Sequence, residues 1–256
     1  MTAERSLSPE QLADFYGRGY VLLDSVFRPQ EIIEMSYAVN RLQNQSLGLE
    51  GEVMKNGSKF VVQDGLLERV VWAGAAEPLL LQYGRDQRLA SAAAQILRSK
   101  YGEHLINQVH LKLPGGGFYP WHQDSTHRGY GNHDFWVDAN GTGSYVQIIT
   151  AIDEATLENG PLLVIPYSCK NGHLDLPYYK NTQTVSDKFN PDDAVPVLMK
   201  PGDVLFFGPY TIHGSEVNNS ENSRRIFING FAYLGANGKE YPGPKTGVER
   251  LVRLTD

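Results

Sequence analysis

The sequence predicts a mainly β protein with helices gathered at its N-terminal end. Three observations carry that expectation. Stretches with helical capping and helical apolar spacing fall within the first hundred residues; beyond Gly102, short runs rich in Val, Ile, Tyr and Phe are cut by Gly, Pro and Asn, as in a sandwich or barrel. At 256 residues and 41% hydrophobic side chains, the chain can bury one sizeable core. Neither an internal repeat nor a long linker divides it, so residues 1–256 are expected to form one domain.

The elements follow in order. Ser8-Pro9-Glu10-Gln11 places an N-cap serine, a proline at the first helical position and a glutamine at the third, a capping box for a short helix that Gly17 and Gly19 end. "YVLLDSVF" is a strand-like apolar run. "RPQEIIEMSYAVNRLQNQ" spaces Ile32, Ile33, Met35, Ala38, Val39 and Leu42 helically, and a second amphipathic helix is expected over Asp86 to Tyr101. The first 102 residues therefore read as a mostly helical flank. Strands are expected at Leu105 to Leu113, Ser144 to Ile152, Pro161 to Ile165, Val204 to Phe207 and Arg225 to Leu234.

Composition narrows the function. A net charge of −6 with no basic block argues against nucleic-acid or anionic-membrane partners, because binding by counterion release needs clustered Lys and Arg. "MTAERSLSPEQ" has no apolar signal region, and no apolar run is long enough to span a bilayer, so a cytoplasmic location is expected. A single cysteine, Cys169, permits neither an internal disulfide nor a thiolate metal site. Any metal must fall to His and carboxylate ligands.

The segment "WHQDSTHRGYGNHDFW" offers such ligands. His122 and Asp124 are two apart, a spacing that turns both side chains to one face of a strand. Two His and one carboxylate with open positions suit non-haem Fe(II) and O2. The H-x-D pattern is weak alone, since it recurs at His173-Leu174-Asp175. What distinguishes the first copy is "KPGDVLFFGPYTIHGSEVNNSENSRRIF", where a turn and an apolar strand lead to His213, then to a polar loop and two arginines. A guanidinium binds a carboxylate through two hydrogen bonds and stays charged, as a 2-oxoglutarate co-substrate would require. Adjacent strand residues face opposite ways, so one of Arg224 and Arg225 enters the core; periodicity does not say which. Gln108, His110 and Lys112 share one face of their strand and are candidates to line the same pocket.

Together, Trp121-His122-Gln123-Asp124, "AIDEATLENGPLLVIPYS", "KPGDVLFF" and "HGSEVNNSENSRR" resemble the phytanoyl-CoA dioxygenase family of Fe(II)/2-oxoglutarate oxygenases. The likeness runs from "DFYGRGYVLLDSVFRPQEI" to Arg225. It implies a double-stranded β-helix, a cupin-like jelly-roll core over 103–256 flanked by N-terminal helices over 1–102. It further implies His122, Asp124 and His213 as catalytic iron ligands, and Arg224, eleven residues past His213, as the arginine for 2-oxoglutarate. Ser215 would bind the same distal carboxylate, and Lys59 stands where relatives place a lysine on the co-substrate. The implied reaction consumes O2, converts 2-oxoglutarate to succinate and CO2, and hydroxylates an unactivated C–H bond. Related halogenases carry Gly or Ala in place of Asp124, so hydroxylation is expected.

Departures from the family pattern bear on the pocket. "IPYSCKNGH" stands where relatives often read "IPGSHKxGH", a similarity that implies a loop position for His173, away from the metal; a tryptophan that stacks near the co-substrate in some members is here an aliphatic residue near Ile149. The stretch after Asp124 is expected to form a lid, with His127, Arg128, Tyr130, Asp134 and Trp136 facing a small, polar substrate. The alternative is a cupin-type metal-binding barrel that does not use 2-oxoglutarate, either a non-redox enzyme or a ligand-binding module.

Overall fold

The computed structural model of the chain describes residues 6–128, 136–174, 176, 187–236 and 250–255. Helix α1 (Pro9–Arg18) starts on the expected capping box, with the Ser8 hydroxyl accepting from the Gln11 amide and the Gln11 side chain accepting from the Ser8 amide. It stops at Gly19, whose φ of 93° is left-handed and whose missing Cβ would meet Thr211 Oγ1 at 2.7 Å. Strand β1 (Tyr20–Leu23) and helix α2 (Pro29–Ser46) follow.

The next twenty residues depart from expectation. They form three antiparallel strands, β2 (Gly51–Lys55), β3 (Ser58–Gln63) and β4 (Leu66–Val71), so the first hundred residues are not simply a helical flank. Both turns are two-residue loops, Asn56-Gly57 and Asp64-Gly65, in which all four residues have positive φ. That is the backbone twist which joins tightly paired strands, and Asn-Gly and Asp-Gly are its sequence signal. Three helices complete this half: α3 (Ala73–Ala76), α4 (Pro78–Gly84) and α5 (Gln87–Leu97), the last capped by Asp86.

The second half contributes β5 (Tyr101–Lys112), β6 (Tyr119–His122), the short helix α6 (Asp124–Arg128), β7 (Tyr145–Ala151), β8 (Leu162–Val164), β9 (Val195–Val197), β10 (Val204–Phe207), β11 (His213–Ser215), β12 (Arg224–Tyr233) and β13 (Leu251–Arg253). They assemble into two antiparallel sheets. The larger has the order β1-β10-β7-β12-β5-β4-β3-β2, with β13 also on β5; the smaller is β6-β11-β8-β9. Alternation along each strand sorts the apolar residues. On β10, Val204 and Phe206 pack towards the helices with Met35, Val39 and Leu89, whereas Leu205 and Phe207 face the small sheet with Val164 and Val197. The space between the sheets is therefore walled on both sides.

The helical layer is held by a buried ion cluster. The Arg88 guanidinium donates to both Glu31 oxygens, at 2.9 and 3.1 Å, and to Asp86 and the Val26 carbonyl. The hydrogen bond from Arg88 is the main cause that lowers the Glu31 carboxyl to about 2. Its stabilisation is present above the ordinary carboxylate range and is lost as pH falls towards 2. Glu31→Gln is expected to destabilise the fold by about 3 kcal/mol at neutral pH. Urea denaturation checks this, and the difference between the two proteins should shrink as the medium is acidified.

Candidate active site

The smaller sheet brings the two candidate histidines together. His122 is the last residue of β6 and His213 the first of β11, and the two are direct antiparallel partners, with ring centroids 4.2 Å apart. Asp124 does not share their strand, as the spacing argument expected; it opens α6. Its Oδ1 nevertheless lies 3.7 Å from His122 Nε2 and 3.8 Å from His213 Nε2. Gln123 makes this turn possible by pointing away: its amide donates to the Tyr210 and Gly172 carbonyls and accepts from the Leu174 amide. Among the described residues, His122, Asp124 and His213 form a buried group whose ligand atoms all lie within 4.8 Å of one another.

Both imidazoles are oriented for coordination. His122 Nδ1 donates to the Pro120 carbonyl at 2.7 Å and His213 Nδ1 to the Thr211 carbonyl at 2.9 Å, so each Nε2 lone pair faces the carboxylate. Burial, then the nearby His213, pull His122 down to about 4, which keeps it neutral at physiological pH. Two imidazoles and a carboxylate, each ring fixed by a backbone acceptor, are a donor set that fits a divalent transition metal.

A cavity of about 410 Å³ opens from this group between the sheets. Gln108, His110 and Lys112 line it from alternate positions of β5, and Arg224, Ile226 and Ile228 from β12. The register separates the two arginines. Arg224 points inward and is buried, and its Nε has no hydrogen-bond partner; among the described residues it forms no ion pair. Burial lowers its pKa to about 10. Arg225 turns outward, where it is paired with Asp153 at 2.8 Å and hydrogen-bonded to Asn40. A buried cation without a counterion is costly unless a ligand supplies one.

Ser215, two residues past His213, lines the same cavity. Its Oγ accepts from Lys112 Nζ at 2.7 Å, which leaves the hydroxyl hydrogen for another acceptor. Lys112 also donates to the Gly160 and Glu216 carbonyls, and burial and Arg224 together lower it to about 7. His110 sits between Arg69 and Arg224; burial first, then those two cations, push it to about 3, so it is neutral.

Several expected positions fall elsewhere. Lys59 shares the cavity-side face of the sheet but is one strand too far out; it pairs with Glu52 at 3.0 Å and does not line the cavity. Trp136 is core rather than substrate-facing: it is buried, edge-on to Tyr145, with its indole N–H donating to the Gly143 carbonyl. Tyr130 and Asp134 lie outside the described residues, as do the side chains of His127 and Arg128. His173 bonds to Ser125 Oγ at 2.8 Å, off the three-residue group. Glu68 and Arg69, which the sequence reading missed with β4, do line the cavity; alternation in "LLERVV" after the Asp-Gly turn was the available signal.

Comparison with known proteins bears on this geometry. The sequence profile of phytanoyl-CoA dioxygenase (PhyH) matches residues 15–226. An ectoine dioxygenase of Bordetella bronchiseptica is 26% identical over 237 residues, covering 84% of this chain and 72% of the relative. A methylphosphonate hydroxylase of Gimesia maris is 34% identical over 120 residues, covering 46% of this chain and 40% of the relative. The crystal structure of EctD from S. alaskensis with 2-oxoglutarate and 5-hydroxyectoine superposes with a TM-score of 0.69 at 21% identity, over 90% of this chain and 77% of that one. The two-sheet architecture is thus the double-stranded β-helix of 2-oxoglutarate oxygenases.

Proposed function

Because the chain belongs to the phytanoyl-CoA dioxygenase family of iron- and 2-oxoglutarate-dependent dioxygenases, we propose that it hydroxylates a C–H bond of a small polar molecule at His122, Asp124 and His213. The observation that carries this reading is the buried Arg224 guanidinium, whose Nε lacks a partner in the same cavity as the three-residue group. Fe(II) held there would let O2, the oxidant, take two electrons from the decarboxylation of 2-oxoglutarate to succinate and CO2 and two from the substrate C–H bond.

The chain's own residues perform the rest. His122, Asp124 and His213 would hold the metal at the wall of the cavity they line. Arg224 and the Ser215 hydroxyl grip the distal carboxylate of the co-substrate, and Lys112 fixes Ser215 by donating to it. Ile149, Phe207 and Ile228 exclude water from the reacting region. The relatives named as an ectoine dioxygenase and a methylphosphonate hydroxylase support a small-molecule substrate. No helix of the described residues is long and apolar enough to cross a membrane.

Anaerobic addition of Fe(II) and 2-oxoglutarate to the protein is expected to produce a weak visible charge-transfer band. If saturating reagents give none, the metal-binding barrel that uses no 2-oxoglutarate becomes the better reading. That alternative has no use for a buried guanidinium with an unpartnered Nε in the same cavity as the candidate metal ligands.

A further inference from the structure

A second arginine faces the same cavity, and its surroundings are unusual. Arg69 on β4 is the direct cross-strand partner of His110 on β5, which sets its side chain on the cavity wall. The β3–β4 ladder slips between Val61 and Val62, because Val61 pairs with Arg69 and Val62 with Leu67. Glu68 is thereby left out of the pairing, and both it and Arg69 reach the cavity.

The Arg69 charge is only loosely paired, and its side chain is 38% exposed at the cavity rim. Its Nε is buried and has no hydrogen-bond partner. Its ion-pair partner among the described residues, Glu52, stands 4.0 Å from Nη2, beyond hydrogen-bonding distance, and is also engaged by Lys59 at 3.0 Å. Glu68 forms no ion pair with it among the described residues. A guanidinium fork is thus presented to the cavity with its Nε edge unused.

Arg69 and Arg224 are not two halves of one clamp. They stand two strands and one two-residue repeat apart, about 12 Å between backbones, with the His110 side chain between them. On the reading proposed above, which this inference rests on, 2-oxoglutarate places one carboxylate at the metal ligands and the other at Arg224 and Ser215. Both of its anionic ends are then accounted for, and Arg69 serves a different molecule. We propose that the substrate carries an oxyanion, a carboxylate or a phosphonate, which Arg69 binds at the β4–β5 side of the cavity and so aims the rest of the molecule past His110 towards the metal ligands.

The test is calorimetric titration of the anaerobic Fe(II)- and 2-oxoglutarate-loaded protein with acetate and, separately, methylphosphonate. At least one is expected to bind saturably, and which one does identifies the oxyanion. Arg69→Gln should weaken that binding about ten- to a hundredfold, while Arg69→Lys retains part of it. The 2-oxoglutarate dissociation constant, read from the charge-transfer band, should be unchanged in Arg69→Gln, which also shows that the variant is folded. Methyl acetate and dimethyl methylphosphonate, which lack the charge, should not distinguish wild type from variant. Failure of both anions to bind wild type, equal binding to Arg69→Gln, or loss of 2-oxoglutarate affinity in that variant would each overturn the assignment. Absence of the band in wild type would instead defeat the dioxygenase reading, and the heats of anion binding would still report on Arg69.

Discussion

Replacing His213 or His122 by alanine is expected to abolish Fe(II)-dependent conversion of 2-oxoglutarate to succinate. The expectation rests on how little redundancy the site has. Among the described residues these two imidazoles and the Asp124 carboxylate are the converging donors, and both Nδ1 positions are committed to backbone carbonyls, so no second nitrogen can turn in to compensate. On the proposed reading each ring would contribute one of three protein bonds to the metal, and removing it would leave too few ligands to retain iron against water. His173→Ala is the matched control, because that histidine bonds to Ser125 and lies outside the group. Succinate assayed by chromatography, with iron content of the desalted proteins alongside, checks the result. Turnover retained in His122→Ala or His213→Ala would remove that residue from the ligand set.

Arg224→Ala is expected to raise the 2-oxoglutarate dissociation constant by roughly thirtyfold to several thousandfold, the range for truncating one partner of a buried charged pair. Arg225→Ala is expected to leave it within a small factor, because that guanidinium is spent on Asp153 outside the cavity. The contrast extends to stability. Ligand-free, Arg224 bears a desolvation cost that burial makes visible in its depressed pKa of about 10, with only the weaker attraction of Tyr119 and Asp153 to offset it. Removing it should therefore not lower, and is expected to raise, the melting midpoint of the ligand-free protein. Arg225→Ala should lower the midpoint by breaking a two-toothed ion pair. The wild type should gain stability from added 2-oxoglutarate and the Arg224→Ala protein should not. The reverse ranking of the two arginines would place the clamp one residue later.

Much of this was legible from local chemistry. The capping box at Ser8, the helical spacing from Ile32 to Leu42 and the strand at Val204–Phe207 depend on neighbours within a few residues, and they fold as read. The alternation of Gln108, His110 and Lys112 likewise put three side chains on one face before any partner strand was known. The strands β2 to β4 were missed although their Asn-Gly and Asp-Gly turns announced them. Their faces are partly exposed and lack the dense apolar runs that marked the later strands.

Other features belong to the assembled sheets. Both Arg224 and Arg225 open an apolar strand, and only the pairing of Arg224 with Lys112 turns one into the cavity and the other onto Asp153. Asp124 reaches the histidines although it begins a helix, because that helix starts two residues past His122, which β6 and β11 set opposite His213. Lys59 lies on the right face but two strands out from β5, whereas Arg69 on β4 reaches the cavity. Residue type and period thus told which side chains could do chemistry. Which of them meet was decided by hydrogen-bond register between strands distant in sequence, since a one-residue slip reverses every face and no local pattern contains that choice.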